Sequence, residues 1–448
     1  MNKALQQYLT LYSENKDLIC SKSAPGFNVW REQAYRNLLA EGLPKHGSEN
    51  YEITDLAEML APDFGLNIAR IPLDVNPADS FKCGLPHLSS ALFFMLNDMW
   101  GESKGARNVL PEGVEIGPLS RYMQPAGEAT EFYGKIADLL NPIVALNTML
   151  VQEGLFLKVK KGMKVERPIQ LVNIIEAMIP LMAVRRILLI VEEGAEIKLL
   201  SCDHSNSREK TSASLTVTEI FAAKGSRVEF YDMEENGSLS NRLSTLYLRQ
   251  EEDSHAVVES FTLHNGMTRN EFHCEFAGRG SSLKLYGLGI EDHHNLLDNY
   301  SRIAHNAGDC HTDELFKYIV EDEGRGAFTG RIYVAPGAAK TEAYQSNRNL
   351  VTSDRARMFS KPQLEIYNDD VKCSHGSATG QLDPMQLFYM RQRGLSDDEA
   401  RLLLKQAFMA DVIQGVSLDL LRDRLHNLVE RRFIGQDLSC SDCEVCPK

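Results

Sequence analysis

The feature that most constrains this chain is a recurrence between residues 194 and 316. Gly194-Ala-Glu-Ile-Lys-Leu, Gly225-Ser-Arg-Val-Glu-Phe, Asp253-Ser-His-Ala-Val-Val and Gly280-Ser-Ser-Leu-Lys-Leu share one form, a small turn residue followed by alternating apolar positions. A weaker version runs from Gly308 to Phe316, and the turn starts lie 31, 28, 27 and 28 residues apart. Alternation of period two marks a strand with one buried face. A repeat of this length, built from strands without helices, buries its apolar faces by stacking coils along one axis. The pattern therefore predicts a solenoid. A β-sandwich is the alternative, but its strands need not recur at one period. The end coils of a solenoid expose edges that must be capped or paired, and pairing with a partner subunit is one solution.

The flanks read differently. Residues 29–43 place Trp30, Ala34, Leu38 and Leu39 at helical spacing and stop at Gly42. Residues 90–100 read as a short buried helix, and 131–151 as one or two helices broken near Asn141-Pro142. Beyond the repeats, Asp383 is an N-cap with Pro384 at the first helical position. Arg391 and Arg393 sit in the last turn before Gly394. Ser396 and Glu399 make a capping box for a second helix. A third, after Ser417, carries Leu418, Leu421, Leu425 and Leu428 on one stripe. The chain thus divides into a mainly helical region (1–152), a β core (153–381), a C-terminal helical bundle (382–435) and a cysteine-containing tail (436–448). The bundle's apolar faces are broad enough for both a core and a partner groove.

Residues 361–376, KPQLEIYNDDVKCSHG, carry the most chemistry. Cys373 and His375 are two apart in a strand-like run, so their side chains share one face. A thiolate beside an imidazole suits iron, zinc or iron–sulfur chemistry, but two ligands are an incomplete set, and a partner must supply the rest. The tail CSDCEVCPK brings Cys440, Cys443 and Cys446 in a spacing that could hold a metal or cluster, again without a fourth ligand. Cys202 with His204, and His273 with Glu275, would share strand faces. Each is more simply a packed thiol or a solvated histidine. No phosphate-binding loop, HExxH or GxSxG motif is present, so no catalysis is expected.

A formal net charge of −14 argues against nucleic-acid or anionic-membrane partners. Nine cysteines without a secretion-signal pattern suggest reduced thiols and a cytoplasmic setting. The most apolar run, 187–191, is flanked by Arg185-Arg186 and Glu192-Glu193, so no membrane span is expected.

The KPQLEIYNDDVKCSHG run resembles the SufB/SufD family of SUF iron–sulfur cluster assembly proteins. It is preceded by Gln345-Ser346-Asn347-Arg348-Asn349-Leu350 and followed by Gln386-Leu387-Phe388-Tyr389-Met390-Arg391-Gln392-Arg393-Gly394. The match continues upstream through Glu166-Arg167-Pro168-Ile169-Gln170-Leu171, Lys161-Gly162, Ala145-Leu146-Asn147 and Asn141-Pro142. Within that family the run resembles the SufD branch. SufB carries a cluster-building cysteine where this chain has Ser346, and SufB lacks the KCSHG run. The resemblance implies a right-handed parallel β-helix core and a scaffold that is not an enzyme. It implies a SufB-like paralogue as partner, with His375 and Cys373 at the shared interface. It also implies a SufC-like ABC ATPase docked on the C-terminal helices near Phe388, Tyr389, Arg391 and Arg393. No cofactor is expected to stay bound; iron or a nascent cluster would be held transiently at the interface. Exposed coil edges would also permit a homodimer. Two rivals stand beside this reading. One is a β-helix polysaccharide lyase with Asp369 and Asp370 on calcium, and the other is a metal carrier working through the cysteine tail alone.

Overall fold

The computed structural model describes residues 2–77, 91–101, 108, 110–176, 178–205 and 210–435. Its centre is a β-solenoid of about 7 turns, each turn giving one strand to each of two sheets. The first sheet begins with β1 (Ala91–Leu96) and β2 (Met99–Gly101). It continues through β5 (Ile169–Ile175), β7 (Glu196–Ser205), β9 (Arg227–Glu235), β11 (His255–His264), β13 (Ser282–Glu291), β15 (His311–Val320), β17 (Thr341–Val351) and β19 (Val371–Gly380). The second begins with β3 (Val114–Pro118) and β4 (Gly154–Val159). It continues through β6 (Leu181–Val191), β8 (Ser212–Ala222), β10 (Ser240–Gln250), β12 (Met267–Phe276), β14 (Leu296–His305), β16 (Arg325–Val334) and β18 (Arg357–Ile366). Neighbouring coils pair in parallel, and among the strands of the described residues β2 on β1 and β3 on β4 are the antiparallel pairs.

The recurrent turn residue has a physical cause. Gly162, Gly194, Gly225, Asp253, Gly280, Asp309 and Lys340 all have left-handed backbone, with φ between 54° and 74°. Each donates its N–H to a carbonyl of the next coil: Gly194 to Lys224, Gly225 to Glu252, Asp253 to Arg279 and finally Lys340 to Asp370. Gly and Asp reach that conformation at low cost, which is why they punctuate the sequence. At the fifth repeat the left-handed residue is Asp309, one position beyond Gly308.

Inside the solenoid one half is apolar, with Ile197, Leu199, Phe230, Leu283, Phe316 and Phe328 among its packed residues. The other half is polar. Arg242 lies there between Asp203 (2.9 Å) and Asp232 (2.6 Å) and donates to Asn270 at 2.6 Å. Arg185 donates to Asp203 at 3.5 Å.

Helices cover the outer faces. The N-terminal layer contains α1 (Lys3–Ser21), α2 (Arg31–Glu41), α3 (Leu56–Met59), α4 (Leu119–Tyr122) and α5 (Pro142–Leu150). It packs Leu5, Tyr8, Phe27 and Leu146 on Leu188, Ile190, Leu215 and Leu243 of the second sheet. Its polar pins are the Gly134 N–H to Glu219 (2.9 Å), Tyr51 with Glu271 (2.9 Å) and Thr54 with Asp298 (2.6 Å). The C-terminal helices are α6 (Pro384–Gln392), α7 (Asp397–Gly415) and α8 (Asp419–Phe433). Leu421, Leu425 and Leu428 face not only α7 but also Tyr231, Phe261 and Ile290 of the first sheet.

Two helical expectations are corrected. Residues 91–101 form β1 and β2, because the uniformly apolar ALFFML run has no period to separate strand from helix. Of 131–151 only α5 is a regular helix, capped by Asn141, whose side chain accepts from the N–H groups of Ile143 and Val144. The capping assignments at Gly42, Asp383 and Ser396–Glu399 hold.

Candidate functional site

The two ends of the solenoid differ. At one end the sheets finish in the antiparallel strands β2 and β3. At the other they finish in the parallel strands β18 and β19, each of which pairs on one side only and leaves a free edge among the described residues. Pro362 lies within β18, a position that only an edge strand tolerates well. Nearly all of β19 is exposed, and Lys372 is the one ionic side chain in VKCSHGSATG apart from the titratable Cys373 and His375. Phe359 (43%), Ile366 (40%) and Tyr367 (60%) are large apolar groups exposed around the same end. An edge with so little charge is a surface made for pairing.

Cys373 and His375 stand on β19 with the parity that points into the solenoid. Cys373 packs against the apolar core, while His375 is exposed at the open end. Burial pushes the Cys373 thiol above its ordinary range, partly offset by the backbone of Ala343. In the free chain it is therefore a protonated thiol that must lose its proton before it can bind a metal. Among the described residues no group of three or more His, Cys, Asp or Glu side chains could hold a metal ion. Asp369 and Asp370 lie in the turn before β19, where the Asp370 carbonyl accepts the last rung of the turn ladder from Lys340 at 2.6 Å. Cys440, Cys443 and Cys446 lie outside the described residues.

Beneath His375 the structure shows two residues that the sequence reading passed over. Glu314 on β15, Gln345 on β17 and His375 on β19 are in register. Gln345 donates from Nε2 to Glu314 Oε2 at 2.6 Å. Burial raises the Glu314 carboxyl to about 7, against hydrogen bonds from Ser301 and Gln345. The signal was available in QSNRN, whose alternate Gln345, Asn347 and Asn349 are polar at inward positions.

The second candidate surface is α6, which starts four residues after β19 ends. Met385 (71%), Phe388 (55%) and Tyr389 (57%) are exposed, and Leu387 is its buried anchor. Arg393 donates to the Tyr389 hydroxyl at 2.9 Å and lies over its ring, while Arg391 is 3.6 Å from Asp397. The helices behind it are fixed to the solenoid by Lys317 with Asp411 (2.6 Å), Lys405 with Glu321 (2.5 Å) and Arg432 with Asp292 (2.6 Å).

Under these helices Glu259 is fully buried with both carboxyl oxygens unpartnered, close to where a Cβ on Gly415 would lie. Burial and then the Glu229 carboxylate push it up to about 8, opposed by Lys284. The folded protein holds this proton to higher pH than the unfolded chain. The associated stability is complete below about pH 4.5 and is lost as pH rises toward about 8. Glu259→Gln is expected to match the parent near pH 5 and to exceed it near pH 8 by about 1–3 kcal/mol. Urea unfolding at the two pH values checks this; a gap that does not widen with pH contradicts it.

Two family models and three relatives bear on the site. The family model described as "SUF system FeS cluster assembly, SufBD core domain" matches residues 174–408. That for the "SufBD protein N-terminal region" matches residues 2–171. The iron–sulfur cluster assembly protein SufD of Escherichia coli is 28% identical over 414 residues, covering 90% of this chain and 92% of that protein. An iron–sulfur cluster assembly SufBD family protein of Synechocystis is 28% identical over 401 residues, 88% of either chain. SufD of Bacillus subtilis is 25% identical over 297 residues, 65% of this chain and 66% of its own. No helix among the described residues is long and apolar enough to cross a membrane.

Proposed function

The chain belongs to the SufBD family of SUF-system iron–sulfur cluster assembly proteins, and from this premise we propose that it is the SufD-type scaffold subunit of a cytoplasmic assembly complex. A SufB-like paralogue pairs with the free edges of β18 and β19, completing main-chain hydrogen bonds across the joint. His375, with Cys373 beside it, then supplies part of a ligand set that the paralogue completes around iron or a nascent cluster, which is cargo and not a resident cofactor. A SufC-like ABC ATPase docks on α6 through Phe388 and Tyr389, with Arg391 and Arg393 at the rim. Energy from ATP enters through that subunit; this chain contributes position and no catalysis.

The observation that carries the reading is the juxtaposition of a bare edge strand with an exposed aromatic helix four residues further on. Motion imposed on α6 has a short covalent path to the strand that bears His375. Co-purification of the three subunits tests it. The double variant Phe388→Asp, Tyr389→Asp is expected to lose the ATPase and keep the paralogue, whereas Ser374→Pro on β19 is expected to lose the paralogue. Retention of both partners by both variants would overturn the assignment. Surface substitutions are preferable to truncation after Gly380, because removing α7 and α8 would uncover Tyr231, Phe261 and Ile290.

A further inference from the structure

The polar half of the solenoid interior encloses a cavity between the two sheets, with about 10 Å³ of room for the centre of a water-sized sphere. Its wall includes Asn173 on β5, Ser201 and Asp203 on β7, Thr216 on β8, Asp232 on β9 and Arg242 on β10. Two of these residues each have a polar atom without a hydrogen-bond partner. Asn173 donates from Nδ2 to Ser201 at 3.2 Å, which leaves its carbonyl Oδ1 bare, and Thr216 Oγ1 is bare as well. Both side chains are almost fully buried, at 2% and 5% exposure, so bulk water does not reach them. A buried donor or acceptor left in that state carries its full desolvation penalty. The strands that bear them lie in different sheets and share no backbone pairing.

The walls also decide what can sit there. Room of this size is about that of one water molecule and excludes any larger group. Asp203 and Asp232 are balanced by Arg242, at 2.9 and 2.6 Å, and by Arg185, 3.5 Å from Asp203. A cation would be held against a guanidinium and an anion against two carboxylates, so the ligand is neutral. It must donate to a carbonyl oxygen, and at a hydroxyl it can either donate or accept. Water meets all of these conditions.

We propose that the cavity is an internal water-binding site. One molecule donates to Asn173 Oδ1, shares a hydrogen bond with Thr216 Oγ1, and so joins β5 to β8 across the interior, a link the two side chains do not make directly. The site also gives a reason for Asn173, the one polar residue in the run Leu171–Ile175.

Crystallography and solution NMR of the intact chain test this. A crystal structure fine enough to show single waters is expected to place one density peak in the cavity, about 2.8 Å from both Asn173 Oδ1 and Thr216 Oγ1. No peak there would overturn the proposal. A peak with contacts of about 2.4 Å would mark a metal cation and overturn the ligand class. In solution, magnetic relaxation dispersion of the solvent oxygen nuclei counts waters held for longer than the protein takes to tumble. Thr216→Val, close in shape but without the hydroxyl, is expected to hold one such water fewer than the parent. Asn173→Leu should do the same and carries the test if Thr216→Val does not fold. An unchanged count in either folded variant would overturn the site.

Discussion

Arg242→Met is expected to cost about 3–5 kcal/mol of folding stability, the usual effect of stripping one partner from a buried ion pair. The guanidinium sits inside the solenoid between Asp203 and Asp232, both almost fully buried, and donates also to Asn270. Burial drives the Asp232 carboxyl upward and Arg242 is the main force opposing it. Without that charge two carboxylates face each other in a water-poor interior, with only Arg185, 3.5 Å from Asp203, left to answer them. The loss should appear as a lower urea midpoint at unchanged slope. It should shrink in acid, where the stranded carboxylates take up protons. Adding Asp232→Leu to Arg242→Met should recover part of the loss, because removing a whole buried pair costs less than breaking it. A cost below about 1 kcal/mol for the single variant would mean that the polar half of the interior is better hydrated than its burial indicates.

Glu219→Ala should be of similar size, about 3–5 kcal/mol, but different in reach. Glu219 lies on the outer face of β8, fully buried, and holds Arg186 through bonds of 2.6 and 3.1 Å. The same carboxylate accepts the backbone N–H of Gly134 at 2.9 Å, Ala137 at 3.3 Å and Ile136 at 3.4 Å. It therefore ends a coil-facing ion pair and also fixes the loop that leads into α5. Arg186 would keep the Tyr133 ring, 4.8 Å away, and Asn147, but no counter-charge. The damage should concentrate where the N-terminal layer meets the second sheet. Hydrogen exchange should rise first in 133–150 and α2, ahead of β13–β17. Uniform loss of protection along the solenoid would contradict that local role.

Much of this was legible in the sequence because the solenoid repeats a costly backbone state. A left-handed turn residue at each coil selects Gly or Asp, so Gly194, Gly225, Asp253 and Gly280 announce the period without any pairing information. Lys340 breaks the rule and hides its coil. The helix caps were legible for a like reason, since Asp383 and Ser396 bond to backbone only a few residues away. Residues 91–96 were misread because a uniformly apolar run carries no periodicity. Glu314 and Gln345 were passed over although both fall on inward parity. Their significance depends on which residues of distant coils share a column, and that register appears only when the strands are laid side by side. His375 and Cys373 were singled out by type and spacing, but that they stand on a terminal strand of the solenoid is a fact of topology.

The way the solenoid terminates also governs how far an assembly of such chains can grow. A solenoid open at both ends is a monomer with two reactive groups, and its end-to-end association runs on into fibres. Here the two ends are unlike: antiparallel strands β2 and β3 finish one, and parallel strands β18 and β19 finish the other. Head-to-tail stacking would therefore set strands of mismatched direction against each other, whereas two β18–β19 ends present the same kind of edge. A joint of the proposed kind, end to like end, is one that closes on a pair and does not propagate.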